Sequence, residues 1–82
     1  MTANRPVHEF KLAKVRATIW CNQDAGRSWY SVAITRSYRV GEEWKETTSF
    51  QRDDLPLVSK AADLAYAWIW QAKTREASHA DA

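Results

Sequence analysis

Residues 53–72 read DDLPLVSKAADLAYAWIWQA, and no other stretch is long enough, with apolar residues at helical spacing, to form the principal helix. Leu55, Val58, Ala62, Ala65, Ile69 and Ala72 recur every three or four positions, and Leu57, Ala61, Leu64 and Trp68 run beside them. Two adjacent rows of that kind make one broad apolar face. The start is marked as well: Asp53 or Asp54 is placed to cap the free N–H groups, and Pro56 falls in the first turn, where a missing N–H costs nothing. Lys73 and Arg75 suit the negative end of the helix dipole, with no Gly or Pro behind them to give a sharp stop. A helix with one apolar face needs a surface to cover.

That surface is read from the residues before it, which alternate with period two. His8 to Leu12 is a short extended segment with Phe10 and Leu12 on one side; Val15, Ala17, Ile19 and Cys21 then occupy the odd positions. The change of phase predicts a bulge or break near Ala13–Lys14. The polar loop from Asn22 to Arg27, with Gly26 able to take positive φ, predicts a hairpin into a strand over Trp29–Arg39. Val40 to Glu43 turns the chain once more, into a strand over Trp44–Gln51. The expected fold is α+β: an antiparallel meander of three to four strands followed by one long C-terminal helix packed on one face. Residues 8–73 would form this domain, between flexible tails at 1–7 and 74–82.

Strand phase then assigns the two faces. Beneath the helix it puts Val15, Ala17, Ile19, Val32, Ile34, Trp44 and Phe50. On the other side it puts Lys14, Arg16, Arg39 and Lys45, the indoles of Trp20 and Trp29, and hydroxyls such as Thr18, Ser31, Thr35 and Thr47, without an acid. Cations offset phosphate charge and indoles stack on unpaired bases, so such a face suits a single-stranded nucleic acid. The charge balance agrees in direction: the chain carries +2 overall, but residues 1–52 hold nine Lys or Arg against five acids, leaving the helical remainder acidic.

An antiparallel sheet entering one long helix through SFQRDDLPLVSKAADL resembles the positive-cofactor-four family of transcriptional coactivators, with the plant Whirly proteins as more distant relatives. The resemblance spans about Lys14 to Trp70. It implies a protein that dimerises through its helices and binds single-stranded DNA on its sheets, as a transcription or replication accessory. By position, Lys14, Arg16, Trp20, Trp29, Arg39 and Lys45 would fall on the DNA-facing strands. The basic content is thinner than that family shows, and a fourth strand requires the Phe10–Leu12 segment.

Other readings stand beside this one. Trp20 and Trp29 would also serve as an aromatic pair across the hairpin, or as part of a protein-interaction or structural adaptor surface without nucleic acid. Tyr66, Trp70 and Lys73 make a third helical row, beyond what one sheet can cover, and predict a homodimer interface on the helix. A core of about 70 residues without disulfide or metal also favours self-association. Catalysis finds no support, because His8, His79 and Cys21 supply neither a nucleophile with its base nor a metal set, and Gly26 and Gly41 form no phosphate loop. No catalytic residues, metal or cofactor are therefore expected. One cysteine, no signal-like start and no apolar run of membrane length predict a cytoplasmic protein without a membrane partner.

Overall fold

A computed structural model describes the backbone of residues 3–81 and the side chains of residues 5–73; His79 and the outermost residues of both expected tails lie outside the described side chains. Four strands, β1 (Ala3–Leu12), β2 (Val15–Asp24), β3 (Arg27–Val40) and β4 (Glu43–Thr47), form one antiparallel sheet in sequence order. A 3-10 turn at Arg52–Asp54 leads into the helix α1 (Leu55–Asp81), which packs on one side of the sheet. This is the expected α+β architecture, with the fourth strand present.

Three two-residue turns generate the meander. Leu12 pairs with Val15, Asp24 with Arg27 and Val40 with Glu43, leaving Ala13–Lys14, Ala25–Gly26 and Gly41–Glu42 at the tips. The first residue of each tip is left-handed, at φ +56° for Ala13, +52° for Ala25 and +63° for Gly41. Gly26 follows Ala25 at φ +79°, so that tip has positive φ at both positions, as a type I′ turn requires. Alanine is strained there and asparagine is not. Ala25→Asn is therefore expected to stabilise the fold by about 0.5–1 kcal/mol, raising the melting temperature by a few degrees; a calorimetric scan with no increase would refute the assignment of strain to this residue.

One expectation about β1 is made specific and another is corrected. The break expected near Ala13–Lys14 is present as a hairpin tip, the bulge alternative is not, and a register shift lies between Pro6 and His8. Residues 3–7, expected in a flexible tail, belong to the strand, with Arg5 opposite Cys21 and Pro6 opposite Trp20. Asn4, Arg5 and Pro6 show no apolar alternation, so nothing in their pattern marks a strand. Pro6 lies on the edge strand, where one side of the backbone has no neighbour to bond, and a bulge beside it disfavours edge pairing with other chains. The extra residue also flips the phase, turning His8, Phe10 and Leu12 to the helix side opposite Ile19, Ala17 and Val15.

The core is thin. Val15, Ala17 and Ile19 of β2 are fully buried, and Ala61 and Ala65 meet them from the helix. Two alanines at a four-residue spacing let the helix backbone approach the central strand closely, while Leu57, Val58, Phe10, Leu12 and Ile34 close the sides. Further along, Trp68 stacks on the His8 ring at 5.3 Å and meets Tyr30 edge-on at 5.9 Å. Leu55 and Ala62, expected on the buried face, are exposed, so the stripe in contact with the sheet is narrower than the apolar rows suggest. Arg36 ties the sheet to the helix start: its Nε lies 3.2 Å from Asp54 Oδ2 and 3.2 Å from the Ser49 carbonyl. Asp54 in turn accepts the Gln51 N–H at 3.0 Å, so Gln51 is the N-cap of the entry turn and Asp54 bonds back to it from the third position, rather than capping the helix N–H groups as expected.

Candidate nucleic-acid interface

Residues opposite one another across an antiparallel pair point to the same face, so the hairpin registers decide what the side away from α1 presents. Arg16 lies opposite Thr35, Thr18 opposite Ala33, Trp20 opposite Ser31 and Asn22 opposite Trp29. The expected placements of Arg16, Trp20, Trp29, Thr18, Ser31 and Thr35 follow. On β3 the same face continues through Ser37 to Arg39, also as expected, and on β1 it includes Glu9 and Lys11. Among the described residues no element of the chain lies over it.

Strand β4 departs from the expectation. The two-residue tip pairs Arg39 with Trp44, Tyr38 with Lys45, Ser37 with Glu46 and Arg36 with Thr47. Trp44 therefore leaves the predicted core for the open face, where it is 65% exposed with the Arg39 guanidinium 5.9 Å from its ring centre. Lys45 and Thr47 turn to the helix side, and Lys45 is not part of the open face. Lys14 is at the hairpin tip beside the face rather than within a strand. The expectation of an acid-free surface also fails: Glu46 accepts Thr35 Oγ1–H at 2.9 Å and Arg16 Nη1–H at 3.4 Å, and Glu9 Oε2 is 3.6 Å from Arg16 Nε. Arg16 is thus largely neutralised by two carboxylates.

What remains is a stripe of indoles and cations along β3. Trp29, 46% exposed, and Trp20, half-buried, lie diagonally across the β2–β3 pair near its hairpin, where Asn22 Nδ2 donates to Ser31 Oγ at 3.0 Å. Trp44 is at the far end. Trp29 and Arg39, the partner of Trp44, are ten positions apart on β3, a span of roughly 33 Å at about 3.3 Å per residue. A concavity lies at each end: about 360 Å³ beside Trp29, Arg27 and Asp24, and about 340 Å³ beside Trp44, Lys11, Lys14, Arg16, Ser37 and Glu46. Lys11, Lys14, Arg27 and Arg39 have no carboxylate partner among the described residues. Trp44 and Lys11 were missed in the sequence; the pairing implied by a two-residue turn at Gly41–Glu42 was the signal that could have found Trp44.

The expected helical row is exposed on the other side of the molecule. Tyr66 and Trp70 stack at 6.5 Å with their rings 20° apart, at 68% and 63% exposure, and Lys73 is exposed one turn on. Among the described residues no cluster of three or more His, Cys, Asp or Glu could hold a metal, and no helix is long and apolar enough to cross a membrane.

No family of known proteins, no curated protein and no solved structure matches the chain. The likeness to positive-cofactor-four proteins accordingly rests on the order of elements alone, and function is argued from the surface itself.

Proposed function

We propose that this protein binds single-stranded nucleic acid, DNA ahead of RNA, on the sheet face turned away from α1, and that it works as a homodimer joined through the helix. The observation that carries the reading is the company on that face: Trp20, Trp29 and Trp44 share it with Lys11, Arg27, Arg39 and a row of hydroxyls, and two of the indoles are widely exposed. Each ring offers a base a stacking surface, and these cations, which have no carboxylate partner among the described residues, neutralise phosphates between those stations. Duplex recognition fits poorly, because among the described residues the one α-helix packs on the sheet and no other is left to enter a major groove.

Self-association is supported by shape. The accessible surface is 6388 Å², whereas a compact monomer of this mass exposes about 5,000 Å². The radius of gyration is 15.3 Å, against about 12 Å for a compact chain of this length. A thin, elongated unit with a stacked Tyr66–Trp70 pair outermost gains most by covering that pair with a second copy, and a helix-to-helix contact leaves both sheet faces open.

One observation favours a different reading. Arg16, the most central cation, already has Glu9 and Glu46 beside it, which suits a polypeptide-binding adaptor better than a phosphate site. Fluorescence anisotropy with a labelled single strand separates the two. Binding at low salt that an unlabelled duplex of the same sequence fails to compete supports the nucleic-acid reading; no binding at low salt overturns it.

A further inference from the structure

We propose that the concavity at the Trp44 end of the sheet is a nucleobase pocket that selects bases carrying an exocyclic amino group, with Glu46 as the selecting residue. The inference rests on the nucleic-acid reading above and goes beyond it, since stacking and phosphate contacts are indifferent to base identity.

The pocket combines three chemistries. Trp44 supplies an exposed indole wall, Lys11 and Lys14 supply cations at the rim, and Glu46 supplies a carboxylate between them. At about 340 Å³ the space is at the small end of ligand sites, the scale of one nucleoside rather than an extended ligand. Glu46 is fixed in an unusual way for a surface glutamate: Thr35 of β3 holds Oε1 at 2.9 Å and Arg16 of β2 holds Oε2 at 3.4 Å. Its side chain is nevertheless half-exposed. A carboxylate has about four acceptor positions, so two donors from the sheet leave capacity directed at a ligand.

An ionised carboxylate only accepts. A base stacked against Trp44 with an amino edge towards Glu46, as cytosine presents at N4, adenine at N6 and guanine at N2, can donate to it. Thymine and uracil put carbonyl oxygens, O4 and O2, where the amino groups stand, and these face the negative charge unfavourably on either side of their one donor, N3–H. Arg16, held by two carboxylates, is then a positioning residue for Glu46 rather than a phosphate ligand, which accounts for an arginine neutralised at the centre of a basic surface.

The test compares labelled oligo(dC) and oligo(dT) of equal length, by anisotropy at one low salt concentration, with the full chain and with Glu46→Gln. The parent is expected to bind oligo(dC) roughly tenfold more tightly, within the range of one base-edge contact. In Glu46→Gln the amide can donate as well as accept, so the ratio should fall to about twofold or less while binding to oligo(dT) is kept or strengthened. Trp44→Ala should lose the same preference by removing the wall that positions the base. Equal binding of the two strands by the parent, or a preference unchanged in Glu46→Gln, overturns the pocket while leaving single-strand binding in place. Binding to neither strand removes both.

Discussion

Replacing Trp29 and Trp44 together by alanine is expected to weaken binding of a single strand long enough to span β3 by two to four orders of magnitude. In the proposed binding mode each exposed indole serves as a stacking station, and the loss of one stacked base is worth about 1–3 kcal/mol. The residues lie at opposite ends of the open face, separated by roughly 33 Å of strand. Sites that far apart lose energy nearly additively, so the double variant should show the sum of the single losses. Short strands give a sharper comparison: one too short to reach both ends should feel only one of the two substitutions. Neither side chain belongs to the buried core, so circular dichroism and the melting temperature should stay close to the parent. An oligonucleotide affinity within twofold of the parent would show that the indoles are not contact points.

Trp70→Glu is expected to convert the proposed dimer to a monomer. Tyr66 and Trp70 form a stacked pair with most of its surface outward, and tryptophans at the centre of such contacts commonly contribute 2–4 kcal/mol each. In a twofold assembly the substitution enters twice and places a carboxylate in a desolvated contact, so the dissociation constant should rise at least a thousandfold. Sedimentation equilibrium reads this directly. A parent that is already a monomer at high micromolar concentration, or a variant with the parent's mass, would remove the helix interface. Because the row faces away from the sheet's open side, the monomeric variant should still bind a short single strand, which separates loss of assembly from loss of fold.

The helix and the two later hairpins were legible because their patterns are local and strong. Apolar residues at three- and four-residue spacing across Leu57, Ala61, Leu64 and Trp68 belong to one helical face, and Val15, Ala17 and Ile19 alternate cleanly along a strand covered on one side. The beginning of β1 was hidden because Asn4, Arg5 and Pro6 carry no alternation and owe their strand state to pairing with Cys21 and its neighbours. In β4, EWKET offers one large apolar residue, and reading Trp44 as core put the strand in the wrong phase. Turn geometry, through Val40 opposite Glu43, outweighed hydrophobicity there, because a two-residue tip permits only one register.

The same slip concealed half of the candidate site. With β4 in its actual phase Lys45 leaves the open face, and Trp44 and Glu46 enter it together. The contact between Glu46, Thr35 and Arg16 joins three strands whose members are 11 and 30 residues apart, and no local pattern announces such a cluster. Charge counts along the sequence showed a basic half, but they could not show that Arg16 is neutralised or that Lys11 remains unpaired.

The salt dependence of single-strand binding tests the central claim most directly, read in the parent, in Lys11→Ala with Arg39→Ala, and in Lys45→Ala. Among the described residues four cations on or beside the open face have no carboxylate partner, Lys11, Lys14, Arg27 and Arg39, and each phosphate neutralised on a single strand contributes about −0.7 to the slope of log affinity against log salt. The expected slope is about −3 per protomer for the parent and for Lys45→Ala, and shallower by about 1 to 1.5 for the double variant. A flat salt response, or a slope that changes with Lys45 and not with Lys11 and Arg39, would contradict binding on the sheet face away from the helix.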